Sequence, residues 1–384
     1  MSEKHVKMRD DILKNRIKRG RENRINEGRK DMSSLLVYPF CREFSEFARC
    51  LGLLKEYTEV IPVTPRGLGM EGEDVGVCDG GKNLGIKISS DFDTGIKKAD
   101  AVFFGYRATN RNSYREKIKT AVNLEKRVYV TRELMDFLGE EEEFRTVEVL
   151  DYAETSVEEE EQKGLLPIPV PVIMVLGIGD LCDKFNIQLK LGDYFSRQGY
   201  RVMNCTTKSF GTLFGMEPLP RFLFGPLENH VKIRRFNSYL YDRVIKENPE
   251  LVIIGVPGGI MQVNPYRFRE FGELAFVISN AVKADISILS LYKQEYTSDF
   301  MDHMRNICRY KLNFPVNYIN VANTDFFISP EDRECQYTTV RSSHILDRII
   351  KEFVYEEAFL FHSLDDDSMT EACDRMLCEL EENR

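Results

Sequence analysis

The sequence contains no tryptophan, no C-x-x-C cysteine pair and no long apolar run. Its nine cysteines are scattered along the chain, so neither a disulfide framework nor a zinc module is predicted. No apolar run reaches the roughly 18 residues that a membrane span needs, and the first residues lead into charged sequence instead of a signal-peptide core. We therefore expect a cytoplasmic protein with no metal site and no membrane partner.

The chain also lacks an excess of positive charge. It has 53 Lys and Arg residues against 62 Asp and Glu residues, a net charge of -9, so the molecule as a whole repels nucleic acid, which is not an expected partner. Hydrophobic residues make up 42% and charged residues 30% of the 384 residues, as in soluble folded proteins. This length allows two or three domains, each large enough to bury its own core.

Changes in composition predict five segments along the chain. Residues 1–33 form a basic arm, residues 34–150 a first domain and residues 151–169 an acidic, proline-containing linker. Residues 170–360 form a second domain, and residues 361–384 form an acidic amphipathic helix. The arm is either a solvated tail or an electrostatic contact with a partner. The terminal helix either packs on its own chain or contacts a partner.

Both domains alternate short apolar runs with helical stretches, and repeated βα units imply a mainly parallel sheet. We expect an α/β fold with a Rossmann-like or flavodoxin-like first domain and a P-loop-like, doubly wound second domain, whose near-continuous apolar runs are typical of strands covered on both faces. The predicted strands are residues 35–38, 60–63, 84–88, 100–105 and 128–130, then 172–176, 201–205, 251–254, 286–289 and 318–321. The predicted helical stretches are residues 43–57, 184–197, 229–247, 268–282, 298–311 and 343–359.

The strongest local motif follows the predicted strand 172–176. There the chain turns through Gly177 and Gly179 and opens a helix at Lys184. In a P-loop, the loop amides and the helix N-terminus cradle phosphates while a lysine neutralises the outer phosphate. We therefore take Gly177, Gly179 and Lys184 as candidate ligands of a phosphate or a nucleotide.

Three features set this loop apart from the usual G-x-x-x-x-G-K-[ST] pattern. Asp183 replaces the glycine before the lysine, Phe185 stands where a magnesium-binding hydroxyl belongs, and the loop is one residue longer when counted from Gly177. A carboxylate at 183 would repel phosphate, and its Cβ resists the positive φ that glycine tolerates. Asp180 and Asp183 belong to the candidate cofactor site, or they pair with Lys184, take up a cation or act as N-cap and dipole partners. The loop is either a phosphate site or a degenerate structural turn.

A second glycine turn, Gly258-Gly259, follows the predicted strand 251–254. Small residues at the carboxyl end of a strand leave amides free to line a ligand crevice, so both glycines join the candidate site. The acid that orients magnesium in a working P-loop enzyme is missing, because Gly255 stands in its place. The turn is either a ligand-lining segment or a tight connection between a strand and a helix.

Residues 217–230 form a connector rich in proline and aromatic residues, and connectors of this length inside a compact domain are usually functional. We interpret it as a binding segment or lid, with Arg221, His230 and the following Arg234 as candidate substrate-binding residues. His230 is either a general base or a helix cap or surface residue, and the basic residues either meet an anionic substrate or face water. No catalytic residue is identified.

Four motifs, taken together, carry a family resemblance. They are Leu35-Leu36-Val37-Tyr38-Pro39-Phe40, Asp79-Gly80-Gly81, the segment from Gly177 and Gly179 to Lys184-Phe185, and Val256-Pro257-Gly258-Gly259-Ile260. Over about residues 34 to 355 the chain resembles bacterial peptide-maturation system proteins. That family is encoded beside small Cys-rich precursor peptides, a radical S-adenosylmethionine maturase and an acyl-carrier-related protein. The resemblance implies these three partners and a pathway, more than a reaction.

The second domain also resembles, more distantly, P-loop proteins of the dethiobiotin-synthetase type. Lys184 matches the phosphate loop of that type, and Gly258 and Gly259 match the glycine turn after its second strand. Gly255 and Phe185 depart from it, both at magnesium positions. The expected cofactor is therefore either ATP or GTP with magnesium, or no cofactor at all.

Three functions remain open at this point. The first is an accessory protein in peptide maturation that binds a nucleotide or phosphate through the loop. The second is an ATP-dependent ligase or kinase acting on a carboxylate or amine, which would show magnesium-dependent turnover. The third is a non-catalytic scaffold that binds partner proteins. The sequence alone does not decide whether the protein is an enzyme.

Overall fold

The computed structural model describes residues 33–107, 110–139, 144–155, 164–262, 271–329, 331 and 335–382. All of the predicted basic arm except Ser33, and the acidic runs 140–143 and 158–161, lie outside the described residues. Within the part of the chain that is described, no helix is both long enough and apolar enough to span a bilayer.

The first sheet has five parallel strands in the order β2-β1-β3-β4-β5, which is a flavodoxin-like order. Its strands are β1 (Ser34–Tyr38), β2 (Glu59–Pro62), β3 (Ala101–Phe104), β4 (Arg127–Thr131) and β5 (Glu148–Leu150). Its helices are α1 (Glu46–Arg49), α2 (Val75–Asp79), α3 (Phe92–Lys98), α4 (Arg111–Asn123) and α5 (Arg132–Leu138), with 3-10 turns at Arg42–Phe44 and Leu51–Leu53. Leu35 and Val37 of β1 face one core and Leu36 and Tyr38 face another, so both faces of the sheet are covered.

Two predictions for the first domain are wrong. Residues 84–88 form no strand, because the Asp74 carboxylate accepts hydrogen bonds from the amides of Leu84 (2.9 Å) and Gly85 (2.7 Å) and holds the segment in a turn. Gly85 has a φ of 76°, which glycine adopts without steric cost. The predicted helical stretch 43–57 is a series of short turns around α1.

The second sheet has seven parallel strands in the order β14-β11-β10-β6-β9-β7-β8. Its strands are β6 (Val172–Gly177), β7 (Val202–Thr206), β8 (Glu217–Pro218), β9 (Leu251–Gly255), β10 (Ile286–Leu291), β11 (Tyr318–Val321) and β14 (Phe359–Phe361), while β12 (Thr324–Ile328) and β13 (Cys335–Thr339) form a separate antiparallel hairpin. Its helices are α6 (Lys184–Arg197), α7 (Asn229–Glu247), α8 (Glu273–Ala281), α9 (Ser298–Lys311), α10 (Ser342–Ile345) and α11 (Asp366–Glu382), with 3-10 turns at Ser209–Phe214 and Arg221–Phe224. Strand β6, which leads into the candidate loop, lies in the middle of this sheet.

Two parallel sheets with helices on their faces confirm the predicted α/β fold class. The predicted helices 184–197, 229–247 and 298–311 match α6, α7 and α9. The predicted helix 343–359 is wrong over most of its length. After α10 and a single π-helical turn, Leu346–Ile350, the chain enters the sheet as β14, where Phe359 lies beside Tyr318 of β11.

The acidic terminal helix packs on its own chain. Met369, Cys373 and Met376 of α11 are buried against the second sheet and α6. Its acidic residues lie on the other side, and Asp366 pairs with Lys190 of α6 at 2.8 Å. The apolar face predicted from the sequence is therefore used inside this molecule.

An aromatic cluster joins the two sheets into one structure. Its members from the first domain are Phe44, Phe47 and Phe103, and those from the second are Phe185, Phe210 and Phe214. The Phe44 and Phe210 rings lie 5.2 to 5.6 Å from partners on both sides of this boundary. Aromatic pairs in such edge-to-face contact stabilise beyond their buried area. The relative position of the two sheets is thus set by side-chain packing.

Candidate functional site

A cavity of about 430 Å³ lies where the carboxyl ends of the two parallel sheets meet. The second sheet supplies the loop after β6, residues 180–183, together with residues 207–210 after β7 and 257–258 after β9. The first sheet supplies residues 42–46 after β1, and single residues after β3, β4 and β5. Open α/β sheets bind their ligands at this edge, so the cavity is the candidate site of the molecule.

The loop after β6 is held by its carbonyl groups. Side chains donate hydrogen bonds to four consecutive carbonyls, those of residues 179–182. The Cys182 thiol donates to the carbonyl of Gly179 (3.0 Å), and the Tyr292 hydroxyl donates to that of Asp180 (2.6 Å). The Thr324 hydroxyl donates to the carbonyl of Leu181 (2.5 Å), and the Ser290 hydroxyl donates to that of Cys182. In a planar trans peptide, the N–H of the next residue points away from the carbonyl. The amides of residues 180–183 therefore point away from these donors, and the same four residues line the cavity.

Two residues of this loop have a left-handed backbone. Leu181 has a φ of 53° and Asp183 a φ of 63°. Our expectation that Asp183 would resist a positive φ is wrong, because aspartate is among the residue types that tolerate the left-handed region. For Leu181 this backbone is rare, and the hydrogen bond from Thr324 to its carbonyl holds it. Successive amides with alternating backbone handedness form the concave nests that bind anions.

Lys184 is the first residue of α6 and closes one side of the loop. Its Nζ donates a hydrogen bond to the carbonyl of Gly258, in the glycine turn after β9. A Cβ on Gly259 would lie 2.4 Å from the carbonyl oxygen of Ile178, and a Cβ on Gly179 would lie 2.4 Å from the Tyr292 hydroxyl. The glycines allow the two turns to pack closely, and the structure brings the predicted loop residues and the Gly258-Gly259 turn together.

Gly177 has a related role at the end of β6. A Cβ there would lie 2.3 Å from the Cys182 sulfur and 2.9 Å from a methylene carbon of Lys184. The absence of a side chain at 177 lets the loop fold back over the strand and places the lysine above it.

Asp183 pairs with the first domain and not with Lys184. Its Oδ1 lies 3.2 Å from Nη2 of Arg42. The same nitrogen donates hydrogen bonds to Asn323 (3.1 Å) and Thr324, and Nη1 of Arg42 donates one to Thr339. The interpretation of Asp183 as a side-chain N-cap is not supported either, since within the described residues its carboxylate accepts no capping hydrogen bond. Burial raises the pKa of Asp183, and Arg42 opposes this rise. Arg42 thus ties the first domain, the loop and the β12–β13 hairpin together.

The other charged groups of the first-domain wall are paired or shifted toward neutrality. Glu43 lies 2.6 Å from Lys208, and Asp79 accepts two hydrogen bonds from Arg49, at 2.5 and 2.7 Å. Burial raises the pKa of Glu46 to about 8, although Lys208 lowers it in part. Burial lowers the pKa of Lys208, but Glu43, Glu46 and Asp180 together raise it above its ordinary value, so the ammonium stays charged. Such a wall repels an anion less than its count of acids suggests.

Asp180 and the exposed Glu133 also line the cavity. Asp180 lies on the loop and its carbonyl accepts the Tyr292 hydrogen bond.

The residues present do not fit a magnesium ion at the P-loop positions. Phe185 packs against Phe210 and Phe214 at ring distances of 5.2 and 5.7 Å and offers no oxygen. A Cβ on Gly255 would lie 2.1 Å from Oε1 of Gln188, so no acid can stand there without displacing that amide. Among the described residues, no group of three His, Cys, Asp or Glu side chains is arranged to hold a metal.

The structure places the predicted substrate-binding residues elsewhere. Arg221 pairs with Asp151 and lies 3.4 Å from Glu154, at the junction of the two domains. His230 is exposed, with Nδ1 3.2 Å from Glu228 at the start of α7, and Arg234 is exposed on the same helix. None of the three belongs to the described residues that line the cavity.

Sequence reasoning missed the part of the first-domain wall that follows β1, residues 42–46 and Arg49, and it named Asp79 only within the Asp79-Gly80-Gly81 motif of the family resemblance. The chain signals these residues only by their place after an apolar strand or at the end of a short helix. Tyr337 of the hairpin was missed as well, because the segment was not predicted as strand.

No protein-family model matches the sequence, and no curated protein matches it. Similar solved structures include a DUF1611 family protein from Anabaena variabilis, with a TM-score of 0.46 and 12% identity over 76% of this chain and 88% of that chain. Another is a pseudomurein peptide ligase type C from Methanothermus fervidus, with a TM-score of 0.25 and 10% identity over 79% of this chain and 53% of the ligase. The chain thus spans about half the length of that ligase. At these TM-scores neither similarity assigns a fold or an activity to this chain.

Proposed function

We propose that this chain is an accessory protein in the maturation of a ribosomally made peptide, and that it binds a phosphate-bearing ligand, ATP or GTP, in the cavity between its sheets. The observation that carries the binding site is the loop of residues 178–183. Side chains hold four of its carbonyls, and residues 180–183 line the cavity together with the first turn of α6. Amides at a helix N-terminus favour a bound anion.

Lys184 supplies a mobile positive charge at this anion site. Its ammonium group now donates to a backbone carbonyl, and it can exchange that hydrogen bond for one to a phosphate oxygen. A hydrogen bond between charged groups is worth about 1.5 to 3 kcal/mol, more than one to a neutral carbonyl. The three ion pairs on the wall, among them Arg42 with Asp183, would remain intact in the complex.

The proposed role is binding without hydrolysis of the nucleotide. The two positions that would supply magnesium ligands carry Phe185 and Gly255, and both are closed by neighbouring side chains. The place in peptide maturation rests on the four sequence motifs. It makes the precursor peptide, the radical S-adenosylmethionine maturase and the acyl-carrier-related protein the proposed partners.

The test is a calorimetric titration of ATP, GTP and ADP, with and without magnesium. We expect Lys184→Ala to weaken binding about 10- to 100-fold, the equivalent of one charge-assisted hydrogen bond. Lys190→Ala is the matched control, since it removes a charge from the same helix in a surface pair with Asp366. Equal affinities of the wild type and Lys184→Ala would contradict the site.

The same samples distinguish the other two functions. Magnesium-dependent release of phosphate or ADP would support an ATP-dependent ligase or kinase. A protein that binds no nucleotide but captures the maturation partners would be a scaffold.

A further inference from the structure

Glu46 is the first residue of α1 and lies on the wall of the cavity, across from the first turn of α6. One turn later, immediately after α1, the Cys50 sulfur lies 3.9 Å from Oδ1 of Asn186 in α6. Glu46, Asp183 and Asn186 line the same cavity. The Glu46 side chain therefore stands beside the proposed anion site but belongs to the other domain.

One oxygen of this carboxyl group has nothing to bind. Oε2 of Glu46 is buried and has no hydrogen-bond partner in the described part of the chain. A buried polar atom without a partner costs free energy, and the half-buried Glu46 side chain can relieve this cost by turning its carboxyl group toward the cavity that it lines.

The charged neighbours of Glu46 are already engaged. They come from three other elements: Lys208 after β7, Asp79 at the end of α2, and Asp183 before α6. Lys208 pairs with Glu43, Asp79 with Arg49, and Asp183 with Arg42. Immediately after the helix that carries Glu46, the Cys50 thiol is buried and its pKa is raised to about 12, so the thiol stays neutral.

Burial is the main reason that the Glu46 carboxyl holds its proton. It raises the pKa to about 8, Lys208 lowers it, and the carboxylates of Asp79 and Asp183 raise it further. Near neutral pH this group is mostly a hydrogen-bond donor, as a neutral carboxylic acid in an apolar site can be.

We propose that Glu46 contacts the ligand, and that its carboxyl group turns toward the cavity and donates a hydrogen bond to an anionic oxygen of the phosphate. This inference rests on the proposed function and adds to it a residue of the first domain and a pH dependence. An ionised Glu46 would repel the same oxygen, so only the protonated form accepts the ligand.

The pH dependence of affinity tests this directly. When only the protonated form binds, the apparent affinity falls in proportion to the protonated fraction. With a pKa of about 8, metal-free ATP should bind wild type about tenfold more weakly at pH 9 than at pH 7. Glu46→Gln keeps a hydrogen-bond donor but cannot ionise, so its affinity should change less than twofold. Glu148→Gln, at an exposed acid that is not among the described residues lining the cavity, should retain the wild-type profile.

Proton uptake provides a second readout that a purely structural role would not change. Calorimetry at pH 8 in buffers of different ionisation enthalpy should show about half a proton taken up per ATP bound by the wild type. ATP itself is almost fully ionised at this pH, so the uptake reports the protein even if the Glu46→Gln variant does not fold. The variant, when folded, should take up no more than the ligand's own small share.

The outcomes separate this inference from the proposed function. Lys184-dependent binding of ATP with no proton uptake, or with the same pH profile in wild type and Glu46→Gln, would refute the role of Glu46 alone. Failure of the wild type to bind any nucleotide at pH 7 would refute the proposed function and this inference with it.

Discussion

The ion pair between Arg42 and Asp183 is the link between the domains whose removal should be most informative. The two side chains are only 15% and 10% exposed, and the contact distance is 3.2 Å. Breaking such a buried pair from one side costs about 3 to 5 kcal/mol, because the remaining charge loses its partner. Asp183 can relieve part of this by taking up a proton, since its pKa is already raised by burial. We therefore expect Arg42→Met to lower the free energy of unfolding by about 2 to 4 kcal/mol.

A double-mutant cycle with Asp183→Asn isolates the pair from the other hydrogen bonds of Arg42. Asp183→Asn keeps an acceptor for the guanidinium group and should cost less, about 1 to 2 kcal/mol. The coupling free energy, measured by urea denaturation of the two single variants and the double variant, should be about 1 to 3 kcal/mol. A coupling below about 0.5 kcal/mol, the size found for independent sites, would refute the idea that this pair ties the loop to the first domain.

Three further predictions follow from the packing and the pKa shifts. Gly259→Ala would place a Cβ 2.4 Å from the Ile178 carbonyl and should abolish measurable ATP binding by calorimetry, while circular dichroism remains unchanged. Met376→Ala in α11, at a fully buried position, should cost about 2 to 5 kcal/mol in urea denaturation, and a loss below 1 kcal/mol would mean that the helix is not docked. Because the pKa of Glu46 is about 8 in the folded protein and 4.5 ordinarily, the folded state binds more protons between these values, so wild-type stability should fall as pH rises through this window. The free energy of unfolding of Glu46→Gln should therefore rise relative to that of the wild type by up to about 4 kcal/mol above pH 8. Parallel curves of unfolding free energy against pH from 5 to 9 would disprove this.

The regular elements of the second domain could be predicted closely from the sequence. The helices α6 (Lys184–Arg197) and α7 (Asn229–Glu247) have the predicted bounds, because each is long, amphipathic and bordered by turn residues. Short runs such as β11 (Tyr318–Val321) were also found, since a strand buried on both faces is mostly apolar, and Asn320 is the one polar residue of these four.

Short segments governed by a single tertiary contact were not predicted. The run 84–88 has the composition of a strand, but the Asp74 carboxylate, ten residues away from Leu84, captures its amides. Phe359–Phe361 forms an edge strand only because β11 offers it a partner. Neither outcome is encoded in the local pattern of the segment itself.

The residues of the candidate site also fall into a group that the sequence pattern predicts and a group that depends on tertiary packing. The loop, Lys184 and the Gly258-Gly259 turn could be found because strand, glycine turn and helix are consecutive in the chain. The Arg42 contact with Asp183 joins residues 141 positions apart, so it depends on how the two sheets pack. Glu46 was missed for the same reason, since it acquires its buried environment only at the boundary between the domains.

The most direct test of the central claim is an NMR titration that observes the loop amides themselves. Transverse-relaxation-optimised spectra of ¹⁵N-labelled protein would be recorded while ATP is added to the wild type and to Lys184→Ala. The account predicts large downfield shifts of the amide protons of residues 180–183 in the wild type, as expected for new hydrogen bonds to phosphate, and much smaller shifts in the variant at the same ATP concentration. Saturable ATP binding that leaves the amides of residues 180–183 unmoved would contradict it.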